Sequence, residues 1–270
     1  MTPLISVITI NYNNKPGLIR TSESVLNQTF RNQIEWIVVD GGSNDGSVDY
    51  LGTIQKSIDV MVSERDGGIY DAMNKGFTLS SGDYLLFLNS GDTFHASDVI
   101  ALTVGFIQEF EQIHGRKPEA LYGDTQFVTP KGDSIGLISQ LKPQPFPKAL
   151  TARSFRFGMN ICHQSLFLHR SIFVPFNDKK YKLAADVDSI IASLKRLTTP
   201  GLSLGFVVSD FEVGGSSYQH TKKAWKERFT ILSKHYGWLP NLFHHGWIFI
   251  RRVLFSLNLY KPHNEQHGKG

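Results

Sequence analysis

Four groups of residues have the types and spacing to do chemistry. The first is Asp40-Gly41-Gly42-Ser43-Asn44-Asp45-Gly46-Ser47, an acid followed by small residues. An acid so placed suits hydrogen bonding to a nucleobase or ribose. The glycines at 41, 42 and 46 match neither GxGxxG nor a P-loop, and the same residues also make a plain strand-to-helix turn with Asp45 or Ser47 as N-cap. The second group runs from Ser63 to Gly76 (SERDGGIYDAMNKG). Asp66 precedes Gly67-Gly68, and Asn74 and Lys75 follow two turns later with donors suited to a diphosphate. Its plainer reading is a capping Asp66 and a solvated Lys75. The third is Asn89-Ser90-Gly91-Asp92, where an apolar run ends in hard oxygen ligands of the kind that hold Mg²⁺ or Mn²⁺ against a diphosphate; Asn-Ser-Gly-Asp is also good β-turn chemistry. The fourth joins His163-Gln164 to the segment Tyr181 to Asp188, which carries Asp186 and Asp188.

These groups need elements that bring them together. Leu4 to Ile10 reads as a buried strand, and Pro16-Gly17 opens a helix. Ile34 to Val39 is a second strand with Asp40 at its carboxyl end, and a helix then runs to about Lys56. Ile58 to Val62 is a third strand. A helix over Ile69 to Leu79 places Ile69, Met73 and Phe77 about one turn apart, and Tyr84 to Leu88 is a fourth strand leading into Asn89. Strands alternating with helices predict an α/β fold with a parallel sheet and right-handed crossovers. Ligands bind beyond the carboxyl ends of such strands, so Asp40 and Asp92 are expected in one crevice. The second half is less regular. Strands are expected at Leu121 to Val128, Ser134 to Leu137, Ser165 to Leu168 and Leu204 to Val208. Lys142 to Lys148 reads as a loop, Ala185 to Leu197 and Lys222 to about His235 as helices, and Gly214-Gly215-Ser216-Ser217 as a loop able to close over a diphosphate.

Composition narrows the classes. A chain of 270 residues with 41% hydrophobic and 19% charged residues has an ordinary globular core. Its one cysteine, Cys162, fits a reducing cytosol. No signal peptide and no apolar run of roughly 20 residues is visible. Residues 221–270 hold nine Lys/Arg and two Asp/Glu, so this segment is +7 in a chain of +4 overall. A mildly acidic body with a basic, aromatic tail argues against a nucleic-acid partner.

The segments EWIVVDGGSNDGS, ERDGGIYDAMNKG and LFLNSGD, in this order, resemble family 2 glycosyltransferases with the GT-A fold, closest to bacterial exopolysaccharide transferases of the colanic-acid kind. The resemblance spans about residues 4–217. It implies a Rossmann-like, mostly parallel sheet flanked by helices. Residues 1–220 would form the catalytic domain, with a nucleotide half (1–95) and an acceptor half (96–220), followed by a helical tail (221–270). It implies that Thr9, Asn11 and Tyr12 line a base pocket and that Asp40 and Asp66 bind the nucleoside. Asn89 and Ser90 would join the nucleotide-sugar site, and His163 would serve the donor or acceptor. Asp186 would be the catalytic base. Relatives carry Asp-x-Asp where this chain has Asn89-Ser90-Gly91, which leaves Asp92 as the carboxylate of that turn for Mn²⁺ or Mg²⁺. The expected activity is inverting transfer from a nucleotide-diphosphate sugar to a glycan or lipid-linked acceptor in surface polysaccharide synthesis. A catalytically weakened sugar-nucleotide-binding protein and a nucleotidyltransferase stay open as alternatives, although Asn11-Tyr12-Asn13-Asn14 stands where the latter would need a glycine-rich, basic turn. The tail, with Trp238, Phe243, Trp247 and Phe249 interrupted by Arg251-Arg252, is expected to hold a cytoplasmic enzyme on the anionic inner face of the plasma membrane.

Overall fold

The computed structural model describes residues 4–214 and 221–260. Residues 215–217 of the expected closing loop and the last ten residues of the tail lie outside them. The nucleotide half follows the expected alternation: β1 (Ile5–Asn11), α1 (Lys15–Leu26), β2 (Ile34–Asp40), α2 (Ser47–Ile54), β3 (Val60–Ser63), α3 (Ile69–Leu79) and β4 (Tyr84–Phe87). Local chemistry sets the joints. The Asn14 side chain accepts from the Gly17 N–H and starts α1 with Pro16 in its first turn. Gly76 lets α3 lie against the sheet, since a Cβ there would stand 2.3 Å from Ile8 Cγ2.

A two-residue strand, a long helix and a single-turn helix follow that the sequence reading does not anticipate, among four strands and a helix that it does. After β5 (Thr93–Phe94) comes α4 (Val99–His114), which buries Val99, Ile100, Thr103, Val104 and Ile107 on one face and ends at Gly115 in the left-handed conformation. Then come β6 (Ala120–Val128), β7 (Ser134–Leu137), the single-turn α5 (Ile138–Leu141), β8 (Leu166–His169), α6 (Ala185–Leu194) and β9 (Leu202–Glu212). Two C-terminal helices, α7 (Thr221–Tyr236) and α8 (Trp238–Ser256), close the described chain.

All strands share one sheet in the order β3-β2-β1-β4-β8-β6-β9-β5, with β7 beside β6. The parallel pattern holds from β3 to β4 and again between β6 and β9. β8 runs antiparallel to both its neighbours, and β7 and β5 pair antiparallel to β6 and β9. The sheet separates two apolar layers, and period-2 alternation sorts β1 between them: Ile8 and Ile10 to one, Ile5 and Val7 to the other. The first layer also takes Ile190 and Ile191 of α6 and Ile231 and Leu232 of α7. Over α7, the segment expected as a tail therefore packs into the apolar core.

Candidate active site

The carboxyl ends of the parallel strands open into a cleft of about 1200 Å³. Topology explains its place. β2 and β3 extend the sheet on one side of β1 and β4 on the other, so the connections diverge between β1 and β4. Asn11, Tyr12 and Asn14 follow β1 into the cleft, Asp66 stands beyond β3, and Asn89, Ser90 and Asp92 lie beyond β4. The facing wall carries His163, Gln164, Asp186 and Glu212.

Asp186 sits buried in the first turn of α6. Its Oδ1 accepts from the Tyr70 hydroxyl at 2.8 Å, and its Oδ2 lies 3.6 Å from His163 Nδ1. The other ring nitrogen of His163 meets Asn89 Nδ2 at 3.3 Å. With Asn89 donating there, the ring proton belongs on Nδ1, facing Asp186. Desolvation pushes the Asp186 carboxyl upward, but His163, the Arg228 charge and the Tyr70 hydrogen bond together hold it below the ordinary aspartate range. The helix N-terminus favours the same ionised state. Asp188, two residues on, is spent elsewhere: it pairs with Lys234 at 2.8 Å and His235 at 2.7 Å, tying α6 to α7.

Asp92 is the opposite case. Gln164 Nε2 donates to its Oδ2 at 2.8 Å and the Glu212 N–H to its Oδ1 at 3.2 Å. Burial outweighs these bonds and the neighbouring His163, and the carboxyl is pushed up to about 7. A cation would reverse that balance. Beside it, Asn89 Oδ1 is buried without a partner. One carboxylate and one orphan amide oxygen suit a divalent ion that completes its shell on diphosphate oxygens and water. Among the described residues no group of three or more His, Cys, Asp and Glu forms a metal cluster.

Four expected ligand contacts are made otherwise. Thr9 shares the parity of Ile5 and Val7, so it faces the second apolar layer, fully buried, where its hydroxyl accepts from Trp36 Nε1 at 3.1 Å. Asp40 is consumed by its own turn: Asn11 Nδ2 and Ser43 Oγ donate to Oδ1, and the Gly42 and Ser43 N–H groups and Ser63 Oγ to Oδ2. Those bonds overcome its desolvation and lower its pKa; they brace the ends of β1, β2 and β3. Asn74 clamps the Phe176 backbone through both ends of its amide. Lys75 is paired with Glu64 at 2.8 Å and Asp71 at 3.7 Å and donates to the Arg65 carbonyl at 3.4 Å, but is not itself among the residues that line the cleft. Asp66 does reach the cleft, steadied by the Gly68 N–H at 2.8 Å, and Gly41 leaves it room, since a Cβ there would stand 2.6 Å from its Oδ2. Sequence reasoning passes over Tyr70, Gln164 and Glu212 as site residues. Tyr70 and Gln164 lie inside the quoted groups without being assigned a role there, whereas Glu212 enters only because β9 returns beside the β4 turn.

Solved structures share this fold. S. aureus TarS 1–349 superposes with a TM-score of 0.66 at 16% identity, covering 95% of this chain and 75% of that one. Its complex with UDP gives 0.62 at 15% identity over 86% of this chain and 65% of that one. The mannosyltransferase PcManGT from Pyrobaculum calidifontis, in complex with GDP-Man and Mn²⁺, gives 0.54 at 15% identity over 95% and 76%. The likeness is one of fold, and the fold is GT-A. In sequence, an uncharacterised glycosyltransferase of Mycobacterium tuberculosis is 36% identical over 217 residues, 79% of this chain and 76% of its own. A PGL/p-HBAD biosynthesis glycosyltransferase of Mycobacterium bovis is 28% identical over 239 residues, 86% of each chain. The sequence pattern of glycosyl transferase family 2 matches residues 6–173, and the chain belongs to that family of glycosyltransferases.

Proposed function

We propose that the chain moves a sugar, with inversion, from a nucleoside-diphosphate sugar to a hydroxyl of a glycan or lipid-linked acceptor in bacterial surface polysaccharide synthesis. The observation that carries this reading is Asp186: a buried carboxylate kept ionised and oriented by Tyr70 and His163, across the cleft from the β4 turn. Asp186 takes the proton of the acceptor hydroxyl as that oxygen bonds to the anomeric carbon. The bond from that carbon to the diphosphate breaks on the opposite face, and its electron pair leaves with the nucleoside diphosphate. Asn11, Tyr12 and Asp66 hold the nucleoside; Ser90 and Asn89 sit where the diphosphate passes. Asp92 and Asn89 Oδ1 would hold Mn²⁺ or Mg²⁺, which when bound neutralises charge on the leaving group. The UDP and GDP-Man complexes of the fold relatives support the donor class, and the Mn²⁺ of one supports the ion.

No helix among the described residues is long and apolar enough to cross a membrane. α8 is nevertheless turned inside out. Arg251 is 4% exposed and donates to the Phe157 carbonyl, while Phe243 and Phe249 are 78% and 70% exposed. Such a face supports seating on the anionic inner leaflet, with Trp238 and Trp247 at headgroup level. A panel of nucleotide sugars, assayed for hydrolysis and transfer with Mn²⁺ or EDTA, tests the transfer reading. One UDP- or GDP-sugar should turn over, faster with Mn²⁺. No turnover and no nucleoside-diphosphate binding across the panel would overturn it.

A further inference from the structure

Besides Lys182, three cations that act on one another line the cleft on the side of Asp186: Lys142 just past α5, Arg228 on α7 and Arg252 on α8. None has a carboxylate partner among the described residues, in contrast to Arg20, Lys75 and Lys234, which are paired with Glu212, Glu64 and Asp188. Arg228 Nε is buried with no hydrogen-bond partner. The three act on one another. Burial and the two guanidinium charges hold Lys142 below the ordinary lysine value, and burial and Arg228 lower Arg252. Like charges gathered in a partly desolvated wall are unfavourable until an anion joins them. Asp186, whose carboxylate feels the Arg228 charge, is already engaged by Tyr70 and His163.

We propose that Lys142, Arg228 and Arg252 form a subsite for the phosphate or diphosphate of the acceptor. The inference rests on the transfer reading above and deepens it. Position separates this subsite from the donor's diphosphate. The donor side is built from the carboxyl ends of β1 to β4, whereas these cations come from the acceptor half and the two C-terminal helices. Arg252 shares α8 with the exposed Trp247, Phe249 and Ile250. A phosphate held there leaves an attached hydrocarbon tail beside an apolar face, so the acceptor class is a sugar on a lipid phosphate or diphosphate.

The test uses the full chain with nucleoside diphosphate at saturation, and titrates farnesyl diphosphate by calorimetry. Lys142→Met with Arg228→Gln should weaken that binding about tenfold or more, the scale of losing charge-assisted hydrogen bonds. Arg252→Gln, at an exposed position whose guanidinium lies 4.7 Å over the Trp225 ring, should weaken it in the same direction, with the thermal midpoint read alongside to separate binding from packing. Affinity for the nucleoside diphosphate should stay within about threefold of the parent, as expected of residues remote from that ligand. Unchanged farnesyl diphosphate affinity in all variants would overturn the proposal. A parallel loss of nucleoside-diphosphate affinity would overturn it too, by assigning the cations to the donor. A parent protein that binds no nucleoside diphosphate would instead sink the transfer reading while the farnesyl diphosphate titration still reports on the subsite.

Discussion

Two buried aspartates 94 positions apart in the chain are tuned in opposite directions, and the difference supports the separate roles proposed for them. Asp186 is held ionised by groups that also aim it. Asp186→Asn should therefore cost about 10²–10⁴-fold in kcat, with donor affinity retained, because the general base goes and the fold stays. Near-normal turnover in that variant, with loss in Asp188→Asn, would move the role to Asp188. Asp92 keeps a proton that the unfolded chain would release. Its folded value of about 7 lies above the ordinary 3.8, so between these values the folded state binds more protons than the unfolded one. Stability contributed at this position is thus present below 3.8 and lost as pH rises through about 7. The metal-free protein should show a thermal midpoint that falls over this window relative to Asp92→Asn, read by calorimetry in EDTA. Mn²⁺ with nucleoside diphosphate should cancel the difference by favouring the ionised carboxylate. Parallel pH curves for the two proteins would remove Asp92 from the account.

At the scale of elements, α6 is placed by a residue from outside its own segment. Its N-cap, Ala184, has no side chain able to cap. Glu227 of α7 supplies the acceptor instead, taking N–H bonds from Lys182, Leu183 and Ala184 at 3.1, 2.8 and 3.1 Å to one oxygen. Together with the Asp188–Lys234–His235 group, it makes the register of α7 a condition for the orientation of Asp186. Glu227→Ala should destabilise the protein by about 1–2 kcal/mol, the scale of a lost helix cap, and should lower kcat more than donor affinity. A variant with parent stability and parent kcat would show the cap to be dispensable.

On the scale of the whole molecule, charge and apolarity are polarised toward the C-terminal helices. Residues 221–270 carry the positive excess, and α8 presents Phe243, Phe249 and Ile250 to solvent. If this face seats on lipid, the full chain floats with vesicles containing anionic lipid and floats less as salt rises. Phe243→Glu with Phe249→Glu, both exposed and far from the packed side of α8, should abolish flotation and leave the thermal midpoint nearly unchanged. Equal flotation of the two proteins, or none by either, would make the face a packing surface for something else.

Much of this molecule is determined by short-range rules that the sequence displays. Alternating runs and turn chemistry define β1 to β4 and α3 nearly to the residue, and strand-end position alone delivers Asp66, Asn89, Ser90 and Asp92 to one cleft. α4 carries its apolar residues at helical spacing, yet the sequence reading passes over it. Other features depend on distant partners. Thr9 and Asn74 carry donor-site chemistry by type, yet side-chain parity and the approach of the 176 loop spend them on packing. Asp40 looks like a ligand until Ser43 and Ser63 fold onto it, and Lys75 until Glu64 meets it. The different surroundings of Asp186 and Asp188, the proton kept by Asp92 and the gathering of Lys142, Arg228 and Arg252 arise only in the tertiary structure. Each depends on desolvation and on charges brought together from separate elements, and neither quantity exists until the chain has packed.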